Sequence, residues 1–113
     1  MNTFVLKRGD TLPILEVVLK NPDGSVHDLT GSTDWKLHVK LATGAVVTRT
    51  MTKQGADVLG TLRYVWVAAD WNAGGLVGNL FDHHMEYEVI AGTNRLTFPN
   101  DGYDVLRILP DLA

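Results

Sequence analysis

Apolar and polar residues alternate with a period of two along most of this chain, and Gly, Asn, Asp and Pro interrupt the alternation at short intervals. That rhythm predicts an all-β protein. The clearest segment runs from Trp35 to Leu41: Trp35, Leu37, Val39 and Leu41 share one face while Lys36, His38 and Lys40 share the other, as in a half-buried antiparallel strand. Further strands are expected at Phe4 to Lys7, Leu12 to Lys20, Val46 to Thr52, Gly60 to Val67, Phe81 to Ile90, Arg95 to Phe98 and Tyr103 to Ile108, seven or eight in all. Three connections carry turn chemistry. Asn21-Pro22-Asp23-Gly24 and Ala91-Gly92-Thr93-Asn94 read as hairpin tips, and Thr43-Gly44-Ala45 closes a third hairpin.

Only Val67 to Leu80, VAADWNAGGLVGNL, lacks the period. It reads as a longer loop with one helical turn at Ala68 to Trp71. Trp71, Leu76 and Val77 then lie either beneath the sheet or against a partner, with Asn72 beside them. Short strands at this spacing imply two packed antiparallel sheets, an immunoglobulin-like β-sandwich, with a small closed barrel as the alternative.

The 113 residues match one domain, and 45% hydrophobic with 20% charged residues is a folding composition. With 10 Lys+Arg against 13 Asp+Glu, the net charge of -3 gives no basic footprint for nucleic acid or an anionic membrane. Cysteine is absent, which removes disulfides, thiolate zinc sites and cysteine nucleophiles. The apolar run Phe4-Val5-Leu6 is too short for a signal-peptide core, and no run approaches the ~18 residues of a membrane helix. Synthesis and assembly in the cytoplasm follow as the expectation.

Candidate chemistry is sparse. Ser25 and Ser32 lie in turn segments without a nucleophile elbow, and Gly74-Gly75-Leu76-Val77-Gly78 lacks the Lys-Ser/Thr of a phosphate loop. Arg8-Gly9-Asp10 spells the integrin triplet, but Gly and Asp suit a turn between two apolar segments. The stretch FDHHMEYEV, from Phe81 to Val89, puts two histidines among three acids. Strand parity sends His83 inward with Phe81, Met85, Tyr87 and Val89, and sends Asp82, His84, Glu86 and Glu88 outward. The histidines therefore cannot share an ion. Alternate residues stand about 6.6 Å apart at a ~3.3 Å rise, too far for Asp82, His84 and Glu86 to close on a metal without other strands. The outward row is expected to face water or a partner beside cross-strand Lys or Arg.

In its C-terminal third, Met85-Glu86-Tyr87-Glu88-Val89, then Leu96-Thr97-Phe98-Pro99-Asn100-Asp101-Gly102-Tyr103 and the apolar Val105 to Ile108 resemble the N-terminal domain of phage upper baseplate proteins and related small phage tail modules. Lys7-Arg8-Gly9-Asp10-Thr11, Pro13-Ile14-Leu15 and Asp28-Leu29-Thr30-Gly31-Ser32-Thr33 are similar to the same family. So is Gly60-Thr61-Leu62-Arg63-Tyr64-Val65-Trp66 followed by Asp70. The resemblance implies an immunoglobulin-like virion module that docks tail, baseplate or neck components, with no catalytic residue, cofactor or metal. Its partners would be other virion proteins and copies of itself, with no nucleic acid, membrane or small-molecule substrate.

In upper baseplate proteins the domain precedes segments that reach toward receptor-binding proteins. Here Ala113 follows soon after the last expected strand, so the expectation is docking without that reach. The expected contacts are Trp71, Asn72, Leu76 and Val77 of the loop, Phe4 and Leu6 of a sheet edge, and Asp82, His84 and Glu86 of the outward row. A second class of function is a carbohydrate- or receptor-binding module with Trp71 as a stacking platform and Asp70, Asn72 and Asn79 as polar partners. A third is a metal-dependent enzyme centred on Asp82, His84 and Glu86.

Overall fold

The structure, a computed structural model, describes residues 2–10, 14–71, 76, 81–99 and 102–110. Its strands are β1 (Thr3–Lys7), β2 (Leu15–Val18), β3 (Asp34–Lys40), β4 (Val46–Thr50), β5 (Thr52–Gln54), β6 (Thr61–Tyr64), β7 (Phe81–Ala91), β8 (Asn94–Phe98) and β9 (Asp104–Leu109). They form an all-β sandwich. One sheet has the order β1-β9-β7-β3-β4, with β8 also on β7, and the other has the order β2-β6-β5.

Parity builds the core. On β7 the side chains of His83, Met85, Tyr87 and Val89 are buried while Asp82, His84 and Glu86 are exposed, as the alternation requires. Leu37 and Val39 of β3, Leu62 and Tyr64 of β6, and Leu106 and Ile108 of β9 join them, so the two inner faces close over one apolar layer. Each leucine fully removed from water contributes on the order of 2 kcal/mol.

Three features depart from the sequence expectation. The larger sheet is mixed, because β1 runs parallel to β9 from Thr3 opposite Val105 to Lys7 opposite Leu109. The expected strand Val46 to Thr52 is two strands in two sheets. The chain crosses between them at Met51, which is buried and whose N–H donates to the Trp35 carbonyl at 2.9 Å. Since Val47 and Met51 both keep inward parity, the alternation runs through the crossover without marking it. Third, β8 and β9 lie end to end along one edge of β7, Tyr87 to Ala91 pairing with β8 and Phe81 to Met85 with β9. Pro99, without an N–H to donate, stands at the break.

The turns follow their residue types. Gly92 (φ 63°) lies in the β7–β8 hairpin, which Ala91 and Asn94 close, and the Leu41 N–H donates to Ala45 at 2.8 Å to close the β3–β4 hairpin. Asn21 to Gly24 turns the chain beneath a single bridge between Lys20 and Val26 rather than at the tip of a two-strand ladder. A 3-10 turn spans Ala68–Trp71, where the sequence predicts one.

Candidate partner-binding surface

The outward row of β7 is a surface of matched charge. Asp82 accepts from Arg107 Nε at 2.8 Å and Nη2 at 3.2 Å, and this hydrogen bonding holds its carboxyl below the usual carboxylate range. Glu86 is exposed opposite His38, and Glu88 meets His38 Nε2 at 3.3 Å and Arg95 at 3.8 Å. His84 stacks on the Tyr103 ring, with centroids 3.5 Å apart and planes 13° from parallel. The cross-strand partners expected for this row are present at Asp82 and Glu88; the His84–Tyr103 stack has no signature in strand parity. Asp82, His84 and Glu86 are exposed, the first two with these intramolecular partners.

Inward-facing His83 is 1% exposed. Its Nδ1 accepts the Ala42 N–H at 3.0 Å, which puts the ring proton on Nε2, and among the described residues Nε2 has no hydrogen-bond partner. Burial pushes its pKa below the ordinary histidine value, so the ring stays neutral at physiological pH.

In the loop, Trp71 is half-buried against the core and donates its indole N–H to the Asp10 carbonyl at 3.1 Å. Leu76 is a correction to the expected contact set: it is 1% exposed within the core, so its apolar surface is spent inside the fold. Asn72 and Val77, together with Asn79, lie outside the described residues. Asp70 is likewise unavailable as a glycan partner. Only 1% exposed, its carboxylate accepts from Arg49 Nε at 2.7 Å, from the Tyr64 hydroxyl at 2.8 and 2.9 Å, and from the Val67 N–H at 2.9 Å. Burial and this contact hold the Tyr64 hydroxyl well above the usual phenol range. The network ties β4, β6 and the 3-10 turn together.

The sheet edges differ from one another. On one side the chain itself crosses between the sheets at Met51. On the other, β1 and β2 are terminal strands of separate sheets, and among the described residues β1 pairs only with β9 and β2 only with β6. Two strand edges therefore flank one seam. Leu6 is a second correction, because it is 1% exposed and points into the core rather than toward a partner. Phe4 is half-buried, its ring 6.2 Å from that of Trp66, and it lines the seam.

Two adjoining hollows of about 270 and about 370 Å³ open along this seam, sharing Asn2, Val17, Val18, Lys20, Tyr87 and Asp104 as lining. Asp104 is 5% exposed and accepts the Asn2 N–H and the Tyr87 hydroxyl, each at 3.0 Å. Burial and the neighbouring carboxylate raise the Tyr87 pKa far above the usual phenol value. The sequence expectations omit Asp104, yet a signal existed: it shares inward parity with Leu106 and Ile108 at the start of an otherwise apolar strand.

Other chemistry stays local. Ser25 donates to Asp23 and Ser32 to the Leu29 carbonyl, each at 2.5 Å, and Arg8-Gly9-Asp10 is a turn in which the Asp10 N–H donates to the Lys7 carbonyl. Among the described residues, no group of three or more His, Cys, Asp or Glu is placed to hold a metal ion. Nor is any helix among them long and apolar enough to cross a membrane. Comparison of the chain with protein-family models and with curated protein sequences finds no match.

Proposed function

We propose that the protein is a non-enzymatic structural module of a phage virion that docks components of the tail, baseplate or neck through protein–protein contacts in a multicopy assembly. It is made in the host cytoplasm and resides in the particle. The observation that carries this reading is the β1–β2 seam, where two unpaired strand edges stand beside a lined opening among the described residues. An unpaired edge is a template for another chain, and main-chain hydrogen bonds supply affinity without a catalytic group. Repetition in a closed ring would turn a weak contact into a strong one. The resemblance of the motifs from Lys7 to Ile108 to phage upper baseplate domains supports the same reading.

The carbohydrate-binding alternative has less to stand on, since Asp70 is consumed inside the fold and Trp71 is half-buried with its N–H engaged. Negative-stain microscopy of particles formed with and without the gene product tests the proposal. Particles lacking it should show a missing or disordered tail, baseplate or neck element, and normal particles from the deletion would overturn the reading.

A further inference from the structure

We propose that the β1–β2 seam receives an extended segment of a partner polypeptide, and that an arginine or lysine on that segment meets Asp104 at its floor. The inference rests on the docking reading and names the chemistry of the partner.

The shape argues for an extended chain. The flanks of the gap are strand edges with no second strand neighbour among the described residues, and their N–H and C=O groups point along the sheet plane and suit another strand about 4.8 Å away. A helix, about 10 Å across with its side chains, matches neither that spacing nor hollows of about 270 and about 370 Å³.

Charge argues for the basic residue. Among the described residues two aspartates are buried, and they are treated differently. Asp70 has the Arg49 guanidinium at 2.7 Å as well as two neutral donors. Lys20 lines the same hollows but makes no ion pair with Asp104, whose hydrogen-bond partners among the described residues are an amide N–H and a phenol O–H, both neutral. A carboxylate offers about four acceptor positions, so about two remain for an incoming cation. Buried charges are normally paired, and a donor arriving from the seam would complete the site as Arg49 completes Asp70. Apolar Val17 and Val18 on the β2 wall and Phe4 on the β1 side line the same gap. A segment with alternating side chains can therefore place one basic group over Asp104 and its neighbours two residues away against these walls.

The test uses the full chain and two capped heptapeptides of alternating valine and threonine, one with a central arginine and one with a central glutamate. Titration followed by amide chemical shifts should show the arginine peptide binding at least tenfold more tightly, with the shifts concentrated on β1 and β2. Asp104→Asn keeps an oxygen to accept the Asn2 N–H and turns an NH2 toward the Tyr87 hydroxyl, which can accept from it, and should bring the two peptides within threefold of each other. Val18→Lys, at an exposed position on the same wall, should weaken the arginine peptide tenfold and guards against misfolding of the Asp104 variant. No binding at millimolar peptide, equal affinity for the two peptides, or an unchanged preference in Asp104→Asn overturns the proposal. Self-association of the protein that the arginine peptide competes away would assign the seam to a second copy and overturn the proposal in this form. Normal particles assembled with Asp104→Asn would refute the seam chemistry while leaving the docking reading intact, whereas normal particles without the gene product would refute the docking reading itself.

Discussion

Replacing Asp70 by Asn tests how the loop after β6 is held. The native carboxylate collects Arg49 Nε, the Tyr64 hydroxyl and the Val67 N–H on two oxygens. An amide has one acceptor oxygen, and its NH2 must face one of those three donors, so at least one buried donor loses its partner. A buried unmet donor costs about 1–3 kcal/mol. Loss of the charge-assisted bond to Arg49 adds about 1 kcal/mol, a value reduced because the Arg49 side chain is 29% exposed and can turn toward water. The expected total is about 2–4 kcal/mol, a large fraction of the ~5–15 kcal/mol typical of a domain. At about 4 °C per kcal/mol for this size, Tm should fall by roughly 8–16 °C.

Urea unfolding followed by tryptophan fluorescence is a suitable assay, because Trp66 is buried with its ring 5.0 Å from that of Tyr64. The midpoint should fall with an unchanged m value. Arg49→Met leaves the buried Asp70 carboxylate with neutral donors and no charge partner, and should cost about 3 kcal/mol. A loss below about 0.5 kcal/mol for Asp70→Asn would refute the reasoning that the carboxylate satisfies buried donors.

Other outcomes follow from single sites. The neutral, low-pKa His83 makes stability fall with acid: above the unfolded value of about 6.5 both states are neutral, and below it the unfolded chain gains a proton that the fold resists. Unfolding free energy measured from pH 7 to pH 5 should therefore drop, and His83→Asn, which keeps an acceptor for Ala42 without titrating, should flatten the slope; an equally steep slope in that variant would exclude His83 as its source. Gly60→Ala places a Cβ 2.5 Å from the His27 carbonyl oxygen and 2.6 Å from Val26 Cγ1 at φ 57°, and should cost at least about 2 kcal/mol by calorimetry. Leu106→Ala, at a fully buried position of β9, should lose about 2–5 kcal/mol in urea. Arg107→Gln should return the Asp82 pKa toward the ordinary carboxylate value in an NMR titration, and an unmoved value would exclude Arg107 as the cause.

The sequence by itself determined which side chains face inward. A strand has only two faces, so the alternation at Trp35 to Leu41 and Phe81 to Ile90 was enough to assign the buried and exposed sets, including the separation of His83 from His84. Turn residues fixed the β3–β4 and β7–β8 hairpins for a similarly local reason, since the φ angles that a tight reversal needs depend on the residues within it. Tertiary structure decided what local patterns do not encode. Parity is the same whether a neighbour runs parallel or antiparallel, so the β1–β9 pairing was not legible, and parity continues through Met51, so the change of sheet was hidden.

Leu76 and Leu6 are apolar whether they meet the core or a partner, and only packing put both inside. Two aspartates of the same residue type became different objects for the same reason: long-range contacts bring Arg49 to Asp70, and bring only neutral donors to Asp104 among the described residues, at the floor of a seam between two sheet edges.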